Sequence, residues 1–228
     1  MYIFIKRLLD IILSFLGILV TFPIWIISII GIKLSDSGPI FYLANRIGKN
    51  NKIFRMYKFR SMRVGKANEA VFRGDEDRIF PFGRFMRNTK IDELPQLLNV
   101  LLGDMSIVGP RPAAVDQVNI TRSGKYADVS KVQVGLTGPS ALYDYIYGDA
   151  IEDAQEYEKS VLPTRLMLDL VYLDKMGLWF DFKMIWWTIV CIGAIIIRKR
   201  PDYIYDFLVK WAKNDDIHDD SISDKNLV

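Results

Sequence analysis

Apolar and polar positions divide this chain into an uncharged N-terminal run, a mixed middle and a second, shorter uncharged run. Residues 11–32 are 22 positions without a charge, bounded by Asp10 and Lys33, enough for a membrane-crossing helix of about 20 residues. Pro23 sits at the midpoint, with Thr21 two residues earlier and Gly17 and Gly31 in the two arms. A mid-helix proline removes one hydrogen bond and predicts a kink, and the Thr21 hydroxyl is placed to satisfy the freed carbonyl. Lys6 and Arg7 precede the run and Lys33 follows it, so the positive-inside rule favours both ends on the cytoplasmic face. A span and a kinked hairpin that enters and leaves one leaflet both remain open. A cleavable leader does not: the run is too long and no small-residue cleavage site follows it.

Leu94, Leu97, Leu98 and Leu101 recur at i, i+3, i+4 and i+7, the stripe of an amphipathic helix. Pro95 is tolerated only in a first turn, which predicts a helix over residues 92–102, closed by Gly103. Residues 40–42 and 52–58 alternate in part and predict a short β-hairpin turned by Gly48-Lys49-Asn50-Asn51. Residues 66–78 are polar and charged and predict an exposed excursion. Residues 151–176 carry a long helical pattern interrupted near Leu162-Pro163. Residues 184–197 are 14 uncharged positions that include Trp186 and Trp187 and end in Arg198-Lys199-Arg200. That pattern suits a helix lying in a membrane interface, and a core helix is the alternative. Residues 203–211 continue in the interfacial style. No internal repeat or low-complexity linker divides the chain.

Composition agrees with one membrane-associated domain. The 228 residues are 50% hydrophobic and 25% charged, and the mean hydropathy is +0.13, high for a water-soluble protein. The net charge of +3 hides an asymmetry: residues 33–90 hold 14 Lys and Arg against 5 Asp and Glu. A basic block directly after an apolar run suits anionic lipid headgroups and phosphorylated substrates. It carries no nucleic-acid motif, and nucleic acid is excluded as a partner. Residues 214–228 contain five Asp and one Lys and read as a solvated, disordered tail. The single cysteine, Cys191, lies inside an apolar run, and the single histidine, His218, in the acidic tail. Disulfide frameworks, Ser-His triads, Cys-His pairs and His-ligated zinc are thereby removed. Carboxylates and basic residues must carry any chemistry.

Asp92-Glu93 stands where the predicted helix opens. One reading is an N-cap plus a first-turn acid. The other is a site, because unpaired N–H groups and the positive dipole end favour anions there and keep a carboxylate ionised.

The whole string Lys90-Ile91-Asp92-Glu93-Leu94-Pro95-Gln96-Leu97-Leu98-Asn99, followed by Gly109-Pro110-Arg111-Pro112, closely resembles the signature of the bacterial sugar transferases, the monotopic phosphoglycosyl transferases. Further motifs are Lys6-Arg7 with Asp10, Asp36-Ser37-Gly38-Pro39-Ile40-Phe41, Arg46-Ile47-Gly48, Lys58-Phe59-Arg60-Ser61-Met62, Phe82-Gly83-Arg84-Phe85-Met86-Arg87 and Gly135-Leu136-Thr137-Gly138. The resemblance covers roughly residues 4–190. It implies an α+β, mostly helical monotopic membrane protein of the minimal form. The expected parts are a re-entrant helix-break-helix at 1–34, a compact cytosolic catalytic domain at 35–183, interfacial amphipathic helices at 184–213 and the acidic tail at 214–228. The family's break usually has Ser before the proline; here Phe22 takes that place.

The same resemblance implies transfer of a sugar 1-phosphate from a UDP-sugar to undecaprenyl phosphate, releasing UMP, at the cytoplasmic face of a bacterial inner membrane, to initiate a surface glycan. It implies Asp92 as a covalent nucleophile with Mg²⁺ bound nearby, and Glu93 as its partner. Phosphoryl transfer needs cations on the diphosphate, and arginine forks match phosphate oxygens. Arg87, Arg111, Lys58 and Arg60 stand in the family's motifs as candidate clamps, each with an ion-pair role as the alternative. Because Mg²⁺ takes few protein carboxylates, Asp92 with water and phosphate oxygens suffices. Anionic lipids, second copies of the chain and later glycosyltransferases are the expected further partners. A non-catalytic membrane scaffold is the competing reading; retention of Asp92, Glu93, Arg87 and Arg111 together argues against it. Two departures fall after residue 130: Val134 stands where relatives have proline, and residues 140–145 differ from the usual Gln-Val-Asn-Gly-Arg type.

Overall fold

A computed structural model describes residues 1–64, 78–148, 151, 153–197, 199, 201–204, 206 and 208. The acidic tail and nearly all of the 66–78 excursion lie outside the described residues.

The first helix, α1 (Tyr2–Ser35), has an inverted pattern: it buries Asp10, Ser14, Trp25, Ser28 and Ile32 and exposes Phe4, Leu8, Phe15, Leu19, Phe22 and Ile27. A helix in water buries its apolar stripe. This one turns polar and small groups toward the protein and hydrocarbon outward, an arrangement that fits a membrane anchor.

Polar groups tie the first third of this helix to distant parts of the chain. Near the start, Lys6 Nζ lies 2.7 Å from Asp181 Oδ2 and the Tyr2 hydroxyl donates to the same oxygen at 2.8 Å. Arg7 donates to the Val100 and Leu101 carbonyls at 2.6 and 2.9 Å, and Asp10 Oδ1 accepts from the Ile107 N–H at 2.9 Å. At the far end Lys33 Nζ donates to the Gly38 carbonyl at 2.8 Å.

The expected break at Thr21 and Pro23 is replaced by one uninterrupted helix with Pro23 inside it. Thr21 Oγ1 donates to the Gly17 carbonyl at 2.6 Å and accepts from Trp25 Nε1 at 3.2 Å. It does not serve the Leu19 carbonyl that Pro23 leaves without a donor. Packing holds both arms: Gly17 lies against Leu97, and a Cβ at Gly31 would fall 2.4 Å from the Phe82 ring.

The expected hairpin is present and longer than its alternation suggests. Strands β1 (Phe41–Ile47) and β2 (Ile53–Phe59) pair antiparallel from Phe41↔Phe59 to Ile47↔Ile53. Asn50 and Asn51 take left-handed φ of 56° and 57° in the turn, a conformation that asparagine tolerates. Helix α2 (Pro81–Asn88) follows the excursion. Trp25, Ile32, Phe59, Phe80 and Met86 join α1, the hairpin and α2 in one apolar cluster.

The predicted helix at 92–102 is shorter. Residues Ile91–Glu93 form a single 3₁₀ turn and α3 runs only from Gln96 to Leu102, with Pro95 at its N-cap. Proline has no N–H to donate to the Ile91 carbonyl; Leu94 takes that carbonyl at 3.1 Å, and Leu97 and Leu98 bond to Leu94 and Pro95 three residues back. Asp92 therefore stands in a tight turn, not at an α-helical N-terminus. Gly103 closes α3 at φ 96° as expected.

Strand β3 (Ser106–Val108) leads into the Gly-Pro-Arg-Pro turn, β4 (Ala113–Ala114) adds to β1, and the short α4 (Val118–Thr121) follows. Strand β5 (Gly135–Thr137) pairs parallel with β3. Helix α5 (Pro139–Ile146) is buried at every position. The helical pattern at 151–176 resolves into α6 (Ala154–Ser160) and α7 (Leu162–Lys175), parted where expected. Helix α8 (Leu178–Ile196) starts before the second apolar run; it buries Met184 and Cys191 and exposes Trp186, Ile189 and Ile196. It is thus core on one side and apolar surface on the other. Leu142, Leu166, Leu168, Tyr172, Phe180 and Met184 form the main core that holds α5, α7 and α8 together.

Candidate active site

Three segments bring Lys58, the two predicted carboxylates and Tyr145 together. Lys58 projects from β2, whose register on α3 is set by Asn99: its Oδ1 accepts from the Tyr57 N–H at 2.9 Å and its Nδ2 donates to the Arg55 carbonyl at 2.8 Å. Asn99 is fully buried, so each of these bonds replaces one to water. Asp92 and Glu93 occupy the 3₁₀ turn, held there by Lys90, which takes the left-handed conformation at φ 59°. Tyr145 comes from α5.

Both oxygens of Glu93 are engaged. Lys58 Nζ lies 2.8 Å from Oε1 and the Tyr145 hydroxyl donates to Oε2 at 2.8 Å. Burial alone would raise the Glu93 pKa, but Lys58, then Lys90 and Arg111, outweigh it and hold the carboxyl well below the usual range. Asp92 differs. No hydrogen-bond donor among the described residues reaches its carboxylate, and burial, with the adjoining Glu93 charge, pushes its pKa up to about 6 against the pull of Lys58, Lys90 and Arg87. Burial thus shifts the Asp92 pKa upward where the expected helix N-terminus would favour its anion, and a 3₁₀ turn stands in place of that terminus. The pair is split into a fixed anion and a less stabilised, more basic carboxylate. That is how two neighbouring acids acquire separate roles.

Arg111 is aimed by its backbone. Its N–H faces Ser140 Oγ at 3.3 Å and Asp169 Oδ1 at 3.2 Å, and its carbonyl accepts from Arg122 Nη2 at 2.8 Å. The side chain reaches Asp144 Oδ2 at 2.9 Å, and its guanidinium carbon is 5.8 Å from the centre of the Tyr145 ring. Asp144 in turn accepts from the Tyr157 hydroxyl at 2.7 Å. Lys90 Nζ stands 4.5 Å over the same Tyr145 ring. The turn that carries Arg111 packs backbone on backbone: a Cβ at Gly135 would fall 2.1 Å from Gly109 N. Tyr172, whose hydroxyl donates to the Val108 carbonyl at 3.2 Å, supports β3 from below.

Arg87 donates to Met62 Sδ at 3.4 Å and borders an open cavity of about 490 Å³ that Asn88, Thr89, Lys90 and Tyr145 also line. Arg60 is placed elsewhere. Its Nε donates to the Pro39 carbonyl at 2.7 Å, its other nitrogens meet the Asp36 carboxylate and carbonyl, and its guanidinium lies over Phe80. It clips the end of α1 to β2, which is the ion-pair alternative for that residue. The charges of Lys58 and Arg87 act on Asp92 and those of Lys58 and Arg111 on Glu93, so these five residues form one electrostatic cluster; Arg60 does not join it.

The sequence reading missed Tyr145, Asp144, Asn99 and the posture of Lys90. The only signal for the first two is that they fall inside the departing 140–145 segment. Lys90 lies within the signature string, yet nothing marks a lysine for positive φ.

Among the described residues no cluster of three or more metal-ligating side chains exists. A divalent cation here would rest on few protein oxygens. The donor set fits Mg²⁺ in its usual mode: Asp92 offers a carboxylate without a competing donor, while water and phosphate oxygens complete the shell.

Residues 1–194 match the bacterial sugar transferase family. The chain is 35% identical over 190 residues to a UDP-glucose:undecaprenyl-phosphate glucose-1-phosphate transferase of Escherichia coli strain K12, covering 81% of this chain and 39% of the relative. It is 36% identical over 204 residues to the galactosyl transferase CpsE of Streptococcus agalactiae (83% and 42% covered). It is also 36% identical over 193 residues to a UDP-N-acetylgalactosamine-undecaprenyl-phosphate N-acetylgalactosaminephosphotransferase of Aeromonas hydrophila (82% and 43% covered). The chain spans about two fifths of the length of these relatives. With the family match covering both the catalytic-type pair and the apolar helix before it, this chain belongs to the bacterial sugar transferases.

Proposed function

We propose that this chain is a phosphoglycosyl transferase that moves a sugar 1-phosphate from a UDP-sugar to undecaprenyl phosphate, releasing UMP. The observation that carries the reading is the split carboxylate pair: no donor among the described residues reaches Asp92, which is less stabilised as an anion than its neighbour and lies under the influence of Lys58, Lys90 and Arg87, the last two of which line the open cavity. In the first step an Asp92 oxygen attacks the sugar-bearing phosphorus in line. The bond from that phosphorus to the UMP oxygen breaks and UMP leaves as the anion. In the second, a lipid phosphate oxygen attacks the same phosphorus, forms the diphosphate and frees the Asp92 carboxylate. Arg87 and Lys90 neutralise the diphosphate from the cavity wall, and Arg111 supplies positive potential through a fixed backbone. Glu93 cannot take a proton easily with its pKa so low; its role is to hold Lys58 and Tyr145 around Asp92. Asp92 would hold a Mg²⁺ ion, which when bound would neutralise charge on the leaving phosphate.

The anchoring of α1 supports a monotopic placement. Lys6, Arg7 and Asp10 near one end are bonded to the globular body, and Trp25 and Ile32 toward the other end pack with Phe59, Phe80 and Met86 of the same body. A helix crossing a bilayer would carry one of those ends to the opposite side. On this reading the whole chain sits on the cytoplasmic face of the inner membrane and initiates a surface polysaccharide or glycoconjugate. The test is UMP release by membranes containing the protein, with undecaprenyl phosphate and UDP-glucose, UDP-galactose or UDP-N-acetylgalactosamine. Lipid-dependent release from at least one sugar nucleotide is expected; none from any UDP-sugar overturns the assignment.

A further inference from the structure

Beside Glu93 lies a second cleft of about 170 Å³ between α3 and α8, lined by Leu94, Leu97, Leu136, Ile185, Ile189 and Ile192. Lys90, Glu93 and Tyr145 stand at its polar end, and Lys90 and Tyr145 also border the larger cavity. The two spaces therefore meet at these side chains. The polar atoms inside the cleft satisfy one another: Thr188 Oγ1 donates to the Met184 carbonyl at 2.7 Å and pairs with Thr137 Oγ1. With no donor or acceptor left over, the interior is apolar, and such a space binds hydrocarbon in preference to water. Ile189 is 60% exposed, so the cleft opens on the apolar outer side of α8. Glu93 of the carboxylate pair lines it, and its mouth lies on the exposed apolar side of α8.

We propose that this cleft receives the first isoprene unit of a prenyl phosphate, with the phosphate beside Lys90 and the rest of the chain leaving over α8 into the membrane. The assignment rests on the function proposed above and adds where the acceptor lies. A five-carbon branched unit packed at interior density needs on the order of 100 Å³, so the cleft has room for the head of the chain and not for its length. The two-sided arrangement gives the nucleotide and the lipid separate approaches to one aspartate. Other lipids share the chemistry of an anion on a hydrocarbon, and the decisive contrast is with a diacyl phosphate such as phosphatidic acid, whose glycerol linker is polar where the cleft is not.

The test uses the full chain in nanodiscs and a farnesyl phosphate carrying a diazirine on its first isoprene unit. Photolysis is expected to label peptides containing residues 94–97 and 185–192, with label displaced by unlabelled farnesyl phosphate and not by phosphatidic acid. Label confined to the exposed face of α1, or displaced equally by phosphatidic acid, overturns the proposal. As a second measurement, Ile192→Trp fills the cleft and is expected to raise the KM for undecaprenyl phosphate about tenfold or more while the KM for UDP-sugar moves by less than roughly twofold. An unchanged lipid KM in folded Ile192→Trp contradicts the assignment, and should that variant not fold, the labelling map on the native chain decides. Crosslinking needs no turnover. A protein that takes label in the cleft yet releases no UMP therefore fails the catalytic reading while the cleft remains a prenyl-phosphate site.

Discussion

The Tyr145 hydroxyl donates to Glu93 Oε2 at 2.8 Å in a buried setting, tying α5 to the turn that carries Asp92. With Lys58 on the other oxygen, Glu93 becomes a fixed anion around which the cations of the site are arranged.

Replacing Tyr145 by Phe keeps the ring under Lys90 and removes only the donor. A hydrogen bond to a charged group contributes about 1.5–3 kcal/mol, so kcat/KM is expected to fall between about tenfold and a hundredfold if the bond positions the pair. Steady-state UMP release reads this directly. A Tyr145→Phe enzyme within about twofold of the parent would show that the bond does not act on catalysis.

Lys58→Met leaves the Glu93 charge buried beside fewer cations. Removing one partner of a buried pair costs about 3–5 kcal/mol. The folded-state Glu93 pKa lies below its unfolded value, so the pair stabilises the fold above the ordinary carboxylate range and that contribution is lost as pH falls through the folded value. Denaturant unfolding at neutral pH is expected to show the loss in Lys58→Met and a much smaller one in Lys58→Arg. Equal stability of all three proteins would mean the pair is not coupled to folding.

The pH profile of kcat/KM should report Asp92, because only its ionised form attacks. With the carboxyl raised to about 6, the rate is expected to climb as pH rises through that value and to level off above it. Since Lys58 lowers the Asp92 pKa, Lys58→Met should move the limb upward. A limb at the ordinary aspartate value, near about 4, is the opposing result.

Topology gives an independent check. Cysteines placed at residue 1 and after residue 40 are expected to react with a membrane-impermeant reagent only when the cytoplasmic side is open. Labelling of one from each side would establish a span and contradict the anchoring of both ends of α1 to one body.

Elements written in local pattern were legible: the hairpin from its alternation and Asn-rich turn, and the break at Leu162-Pro163; the candidate carboxylates also stand under the charges of Lys58, Arg87 and Arg111. What was not legible depends on partners far apart in sequence. Tyr145 and Glu93 are 52 residues apart, and no periodicity signals that meeting. Pro95 was correctly seen as incompatible with a helix interior, yet its missing N–H converts the preceding turn to 3₁₀ geometry, so the dipole argument for Asp92 fails while the residue keeps its place in the site. Arg60 shares a motif with Lys58 but its guanidinium is committed to Asp36 and Pro39. Thr21 was read as a partner for a broken helix; in a continuous one it bonds to the Gly17 carbonyl.

The central claim is that Asp92 carries the phosphosugar. The protein is incubated with Mg²⁺ and a UDP-sugar labelled in its β-phosphate, with no lipid present, then digested and mapped. About one label per active site is expected on the peptide containing Asp92, with UMP released in equal amount and no label in a folded Asp92→Asn variant. Absence of trapped label, or substantial UMP release by folded Asp92→Asn, would contradict the account and favour direct attack by the lipid phosphate.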